Sequence, residues 1–146
     1  MVKKKKNIKH HVLVTGGTGF IGSSIVRYLI NNNYKVTVYD NNSRGKLNRL
    51  KDLRNKIDFI KGDIRNKKKL QLVKGNIHTI IHLAYVNGTK YFYKKPYEIL
   101  DIALKGLINI FEFSKNKKVK NFFLASSSEV YQNPIKIPTD ENEMLK

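Results

Sequence analysis

Residues 13–26, LVTGGTGFIGSSIV, decide the fold class because they join a strand pattern to a helix pattern through a glycine-rich turn. The residues before the turn are apolar and β-branched, whereas Ile21, Ile25 and Leu29 recur at the spacing of one helix face. Glycines allow the backbone of such a turn to approach a ligand closely, and the amino end of a helix attracts anions. The stretch therefore predicts a turn that binds the pyrophosphate of a dinucleotide.

The second strand pattern, KVTVYD at 35–40, ends in a carboxylate, and this makes a ligand-free turn the weaker interpretation. Asp40 stands 18 residues after Gly22. An acidic group at this distance accepts hydrogen bonds from the adenosine ribose and repels a 2′-phosphate. The sequence therefore predicts NAD rather than NADP, with the nearby Arg44 as the group that could soften the preference.

The whole chain alternates between two hydrophobic periods. Short β-branched runs, typical of strands, lie at 11–15, 35–39, 57–60, 78–83 and 121–125. Helical patterns lie between them at 21–30, 66–74 and 97–115. Strand and helix in alternation predict an α/β fold with parallel strands joined by right-handed crossovers. The 146 residues suit one domain, which we place at 10–146 after a basic, disordered arm at 1–9.

The composition argues against several classes of partner. The net charge of +18 results from 29 basic and 11 acidic residues. Of the basic residues 24 are lysines, which are scattered along the chain, and only 5 are arginines, whereas nucleic-acid recognition favours arginine. No apolar run reaches the ~20 residues of a membrane span, and HVLV at 11–14 is too short for a secretory signal. Without cysteine there is neither a disulfide nor a thiolate metal site. We expect a cytoplasmic protein with no metal site and with neither nucleic acid nor a membrane as partner.

Five short motifs occur in a characteristic order: TGGTGFIGS (15–23), YDNNSRG (39–45), KGDIRN (61–66), HLA (82–84) and SSSEVY (126–131). Together they resemble the N-terminal half of the extended short-chain dehydrogenase/reductase family, over roughly residues 10 to 141. Its members are NAD-dependent nucleotide-sugar epimerases, dehydratases and decarboxylases. The resemblance implies a Rossmann-type parallel sheet of order 3-2-1-4-5 with helices on both faces, and NAD as the cofactor.

The resemblance also implies a set of cofactor contacts in the glycine turn and after strands two, three and four. These are Gly16, Gly19, Phe20, Ile21, Gly22, Asp40, Asn41, Asp63, Ile64, Leu83 and Ala84. The glycine turn would hold the pyrophosphate, Asp40 and Asn41 the adenosine ribose, and Asp63 the adenine amino group beside Ile64. Taken alone, Asp63 fits equally well a turn carboxylate that caps the next helix. Ile102 departs from the family, which often has an asparagine there, and His82 fits a packed strand histidine.

Two catalytic groups are implied after the fifth strand. Ser127 would hydrogen-bond the sugar hydroxyl that is oxidised, and Glu129 stands where some branches place an acid/base group; a plain surface carboxylate is an equal alternative. The family's base is a tyrosine in a Tyr-x-x-x-Lys helix some 20 to 25 residues after the serine. Here that pattern occurs only at Tyr91 and Lys95, before Ser127, in a segment expected to be a loop, and we interpret it as coincidence.

We therefore expect a chain from which the C-terminal part of the fold and a substrate domain are missing. It would work as a nucleotide-sugar epimerase or dehydratase, as a decarboxylase, or as a catalytically silent NAD-binding module. The helix pattern at 97–115 is apolar on more than one side, which predicts a second cover, either a homodimer or a missing C-terminal half. Ile102 and Phe113 are expected in the uncovered part of that surface, so polar replacements there should improve solubility.

Overall fold

The computed structural model describes residues 8–145 and contains five short strands. They are β1 His11–Thr15, β2 Lys35–Asp40, β3 Asp58–Lys61, β4 Thr79–His82 and β5 Asn121–Leu124. All neighbouring strands pair in parallel, in the order β3-β2-β1-β4-β5. The expected parallel α/β sheet and its strand order are thus confirmed. Most of the proposed basic arm lies outside the described residues.

Helices lie in the crossovers between these strands, and one short helix follows β5. They are α1 Phe20–Asn31, α2 Lys67–Leu70, α3 Thr89–Lys94 and α4 Pro96–Asn116, with 3₁₀ helices at Leu47–Lys56 and Ser128–Tyr131. Proline suits the first position of α4, because a backbone N–H there would have no hydrogen-bond partner within the helix. The expected helix at 66–74 shortens to the four residues of α2. The expectation of a loop around Tyr91 was wrong, because this segment forms α3.

The central strand β1 lies between two separate apolar layers. Leu13 faces a core shared with Ile80 and Ile110 of α4, whereas Val12 and Val14 face a core built with α1 and the first 3₁₀ helix. Helices therefore cover both faces of the sheet, as expected. The chain runs from β1 outward to β3 and then returns to β4 on the other side of β1. This reversal opens a crevice at the carboxyl ends of β1 and β4, where ligands bind in such sheets.

The orientation of α4 corrects one expectation. Ile102 and Phe113 are only 8% and 7% exposed and belong to the core, so polar replacements there would disrupt packing. The apolar stripe that faces outward consists of Leu100, Leu104, Ile108 and Phe111, which are 48–62% exposed. Within residues 8–145, no helix is long and apolar enough to span a bilayer.

Candidate functional site

The glycine turn after β1 is packed tightly against its surroundings. The Gly16 amide donates to the Tyr39 carbonyl at 2.9 Å, and Gly16 has a positive φ of 72° that favours glycine. A β-carbon at Gly16 would lie 2.8 Å from the Ala84 amide nitrogen, and one at Gly22 would lie 2.2 Å from the Gly16 carbonyl oxygen. The turn therefore runs close to the β4 loop and to the first turn of α1.

The amino end of α1 presents backbone amides without a helical partner. Ser23 N donates to Gly19 O at 3.0 Å and closes the first helical turn, so the amides of Phe20, Ile21 and Gly22 precede the helix ladder. The first turn of α1 carries no acidic side chain to neutralise this positive end. An anion such as a pyrophosphate fits the arrangement, since it would accept hydrogen bonds from these unpaired amides.

Asp40 lies at the end of β2 and holds the neighbouring loops in place. One of its carboxylate oxygens accepts from the Thr18 amide at 3.0 Å, and the other accepts from the Asn42 amide at 2.8 Å. The side chain is 8% exposed and lines the cleft. Because a carboxylate offers about four acceptor positions, both oxygens retain capacity for a second donor such as a ribose hydroxyl.

Asp63, after β3, is already surrounded by donors. One oxygen accepts from the Arg65 amide at 2.9 Å and from Arg65 Nε at 3.0 Å; the other accepts from Arg65 Nη2 at 2.8 Å and from Asn41 Nδ2 at 3.3 Å. Hydrogen bonds from Arg65 lower the pKa of Asp63 below its usual value. Arg65 also donates to Asp101 of α4 at 2.9 Å. The bond to the Arg65 amide is that of a turn carboxylate, while the adenine role stays a prediction.

Two adjoining hollows at the carboxyl edge of the sheet form one cleft. The β2-side hollow is lined by Gly16, Gly19, Asp40, Asn41, Asp63, Ile64, Leu83 and Ala84. The β5-side hollow shares the two glycines and the β4 residues, and adds Phe20, Ile21 and Gly22. The structure thus brings every predicted cofactor-binding residue to one cleft. Their contact with a cofactor stays a prediction.

The predicted catalytic residues follow β5 in the chain but are not among the residues that line either hollow, so their role stays a prediction. Ser127 Oγ accepts from the Glu129 amide at 3.3 Å at the start of the second 3₁₀ helix, and both residues are exposed. The adjacent Ser126 lines the β5-side hollow. Tyr91 lies against the Arg44 guanidinium, and Lys95 pairs with Glu98 at 3.0 Å, so each side chain is engaged separately.

Comparison with known proteins identifies the family of this chain. Residues 12–146 match the model of the NAD dependent epimerase/dehydratase family. The chain belongs to that family. It is 32% identical, over 92% of its length, to a bifunctional UDP-glucose 4-epimerase and UDP-xylose 4-epimerase from Pisum sativum, and covers 41% of that relative. It is 33% identical, over 85% of its length, to a UDP-N-acetyl-alpha-D-glucosaminuronate decarboxylase from Bacillus cytotoxicus, and covers 38% of it.

A solved member of the family shows the same architecture. The UDP-glucose 4-epimerase from Bifidobacterium longum, crystallised with NAD+ and UDP, is 29% identical and superimposes with a TM-score of 0.85. The match covers 93% of this chain and 42% of that one. The chain therefore spans less than half the length of these relatives. The fold and family expectations are confirmed.

Arg44 has a position in the cleft that the sequence did not predict. Arg44 lines both hollows and donates to the Asn87 carbonyl, so it connects the loop after β2 to the loop after β4. Ile102, in place of the asparagine often found in the family, is buried and contributes only apolar surface to the β2-side hollow. The arginine within YDNNSRG was visible in the sequence, but its reach across the cleft depends on the position of a loop 43 residues away.

His82 is the second residue whose position in the cleft the sequence did not predict. It is a packed strand histidine, as expected, with 6% exposure, but it also lines the β5-side hollow. Its Nδ1 lies 2.6 Å from Thr15 Oγ1. Burial lowers the pKa of His82 to about 4, so the imidazole is neutral near pH 7. The hydroxyl of Thr15, directly before the glycine turn, was the only signal in the sequence.

Proposed function

We propose that this chain binds NAD and forms the cofactor-binding part of a nucleotide-sugar epimerase or dehydratase. Family membership and the NAD-bound epimerase from Bifidobacterium longum support the proposal. The observation that carries it is the meeting, in one cleft, of the unpaired amides of α1 and the Asp40 carboxylate at the end of β2. The amides suit the anionic pyrophosphate of a dinucleotide, and the carboxylate suits the hydroxyls of its adenosine ribose.

The residues would divide the work along the cleft. The amides of Phe20, Ile21 and Gly22 would hold the pyrophosphate, and Asp40 would accept from the adenosine ribose hydroxyls. At Asp63 the longest contact, 3.3 Å from Asn41 Nδ2, is the one that the adenine amino group would replace. Asn41 would then be released toward the ribose. Bound NAD would supply reversible hydride transfer with a sugar carbon, toward the β5-side hollow.

In the whole protein, Ser127 would orient the sugar hydroxyl, and Glu129 would take part in proton transfer. Epimerisation would make the protein an isomerase, and we infer UDP-sugars as substrates from the relatives' names. Decarboxylation, a lyase reaction, is the second candidate because a decarboxylase is 33% identical to this chain. Both reactions begin with the same oxidation. We further propose a cytoplasmic location and a second cover for α4, from another subunit or a C-terminal segment.

Calorimetry on the purified chain tests the proposal with three ligands: NAD, NADP and ADP. We expect NAD and ADP to bind, and NADP to bind at least tenfold more weakly than NAD, because its 2′-phosphate would meet Asp40. A tenfold difference requires only ~1.4 kcal/mol. Equal affinities for NAD and NADP would contradict the role of Asp40. Absence of binding by all three would contradict the proposed function as a whole.

A further inference from the structure

The hydrogen bonds around Thr15 fix the tautomer of His82. Thr15 Oγ1 accepts from the amides of Leu83 and Ala84 at 3.3 Å each, and the Leu83 amide is shared with the Thr15 carbonyl at 3.1 Å. A threonine hydroxyl has two lone pairs and one hydrogen. With both lone pairs engaged, its hydrogen is left for the 2.6 Å contact with His82 Nδ1. Nδ1 is therefore the acceptor, and Nε2 carries the proton.

The Nε2–H group of His82 opens onto the cleft. No hydrogen bond of Nε2 is found among residues 8–145, yet no fully buried side-chain nitrogen or oxygen in this part of the chain lacks a partner. Nε2 is therefore not fully buried, and the β5-side hollow is the hollow that His82 lines. Ala103, Leu107 and Leu124 give part of this hollow an apolar lining. A lone donor in apolar surroundings forms a strong bond when an acceptor arrives.

We propose that His82 is an uncharged hydrogen-bond donor to the nicotinamide half of NAD, held in its donating tautomer by Thr15. This inference rests on the proposed function, since it takes NAD as the ligand. The β2-side hollow, with Asp40 and Asp63, suits the adenosine half. The two halves of a dinucleotide extend in opposite directions from the pyrophosphate, so the other half enters the hollow that contains His82. Its acceptors are ribose hydroxyls and the carboxamide oxygen.

The neutrality of the imidazole suits this role. Desolvation lowers the pKa of His82 to about 4, so the ring donates without carrying a charge at pH 7. A neutral donor is compatible with the positive ring of the oxidised cofactor, whereas an imidazolium would repel it. Thr15 acts here as a positioning residue, because it contacts His82 and not the ligand.

Nitrogen-15 NMR of the histidine side chains tests the proposal on the wild-type chain. The four histidines give few signals, and loss of one in His82→Leu assigns it. At pH 7 we expect the His82 signals of the Nε2–H tautomer, and a shift of Nε2 under saturating NAD that ADP does not produce. ADP-ribose contains the second ribose but not the carboxamide. If ADP-ribose also shifts Nε2, the contact is to the ribose; if only NAD does, the contact is to the carboxamide. Either result supports the proposal.

Two variants add an affinity readout. His82→Leu removes the donor, so NAD affinity should fall roughly three- to tenfold while ADP affinity, which also reports an intact fold, is unchanged. Thr15→Val should release the tautomer preference in the NMR spectrum and weaken NAD but not ADP. An unshifted Nε2 in the NAD complex, or equal losses for NAD and ADP, would overturn the inference. Failure of NAD to bind the wild-type chain would instead overturn the proposed function, and this inference with it.

Discussion

At the scale of single residues, the cleft is organised by carboxylates whose oxygens are already in use. Asp40 accepts from two backbone amides before any ligand binds, and Asp63 is enclosed by Arg65. Such bonds fix the orientation of each acceptor, so a ligand meets groups that need little rearrangement. The cost is that neither side chain can be exchanged without affecting the loops that it supports.

Replacement of Asp40 by asparagine should therefore have two effects. The Asp40→Asn variant removes the charge that opposes a 2′-phosphate, so the ratio of NAD to NADP affinity should fall toward one in calorimetry. It also leaves one of the Thr18 and Asn42 amides without an acceptor, which should lower the free energy of unfolding by about 1 kcal/mol. Asp58→Asn, a change of the same type at an exposed ion pair with Lys35, is the control and should leave the affinity ratio unchanged. An unchanged ratio in Asp40→Asn would show that Asp40 does not set the preference.

At the scale of elements, α4 explains what a sequence pattern can and cannot tell. Five strands were predicted almost to the residue, because β-branched runs bounded by polar residues have few other structures. The face of α4 that packs on the sheet was not predicted, since apolar residues surround the helix. Gly106, against Ile64, and Asn109, which donates to the Ile64 carbonyl at 3.0 Å, belong to the buried face. In the sequence, Gly106 and Asn109 were the signals that could have identified the buried face of α4.

The partners of Arg65 and His82 could not be predicted for a different reason. Asp101 approaches Arg65 from 36 positions away, and Thr15 approaches His82 from 67 positions away. These contacts depend on the register between elements, which local patterns do not contain. The cofactor turn, in contrast, is a local motif and was predicted from residues 13–26.

The apolar stripe on α4 leads to a prediction about association. Leu104 and Ile108 are 62% and 58% exposed on adjacent turns of one face. Replacing both with glutamine should reduce self-association of the chain at micromolar concentration, measured by light scattering after size-exclusion chromatography, without a change in NAD affinity. Ile102→Gln is the contrasting control: this residue is buried, and its loss should destabilise the fold by about 2–5 kcal/mol. A wild-type chain that elutes as a clean monomer would contradict the prediction.

At the scale of the whole molecule, two buried histidines should control stability in mild acid. Burial lowers the pKa of His82 to about 4 and, together with Lys35, lowers the pKa of His11. Below about pH 6.5 these histidines are protonated in the unfolded chain but not in the folded chain. The free energy of unfolding therefore falls as the pH drops from about 6.5 toward 4. Paired carboxylates such as Asp63 add their loss only at lower pH, because their pKa is below its usual value.

His82 contributes about 3.5 kcal/mol to this loss, because its pKa falls from 6.5 to about 4 and each factor of ten in proton affinity is worth ~1.4 kcal/mol. Urea denaturation at a series of pH values measures it. His82→Gln, which cannot titrate in this range, should flatten the curve between pH 6.5 and 4 and leave the steeper fall below pH 4. A His82→Gln curve parallel to that of the wild type would show that the folded chain accepts the proton on His82 readily.

A further prediction concerns activity of the 146-residue chain alone. It should bind NAD but fail to epimerise or decarboxylate UDP-sugars, because the single Tyr-x-x-x-Lys pair, Tyr91 and Lys95, is engaged with Arg44 and Glu98. General acid–base catalysis, typically worth ~10²–10⁴ in rate, would then be absent. Chromatography of UDP-sugars after long incubation measures it. Turnover that disappears in Tyr91→Phe would make Tyr91 the base after all.

The close approach of the glycine turn to the β4 loop has a consequence for the order of folding. The walls of the turn are formed by Leu83 and Ala84, nearly 70 positions later in the chain, so Gly16 cannot reach its final surroundings until β4 has paired with β1. Closing so long a loop is entropically costly and slow compared with forming α1. During synthesis, a nascent chain that has only β1 to β3 outside the ribosome would therefore expose the glycine turn before the cleft has formed. Affinity for the dinucleotide would arise in one step, when β4 emerges and docks.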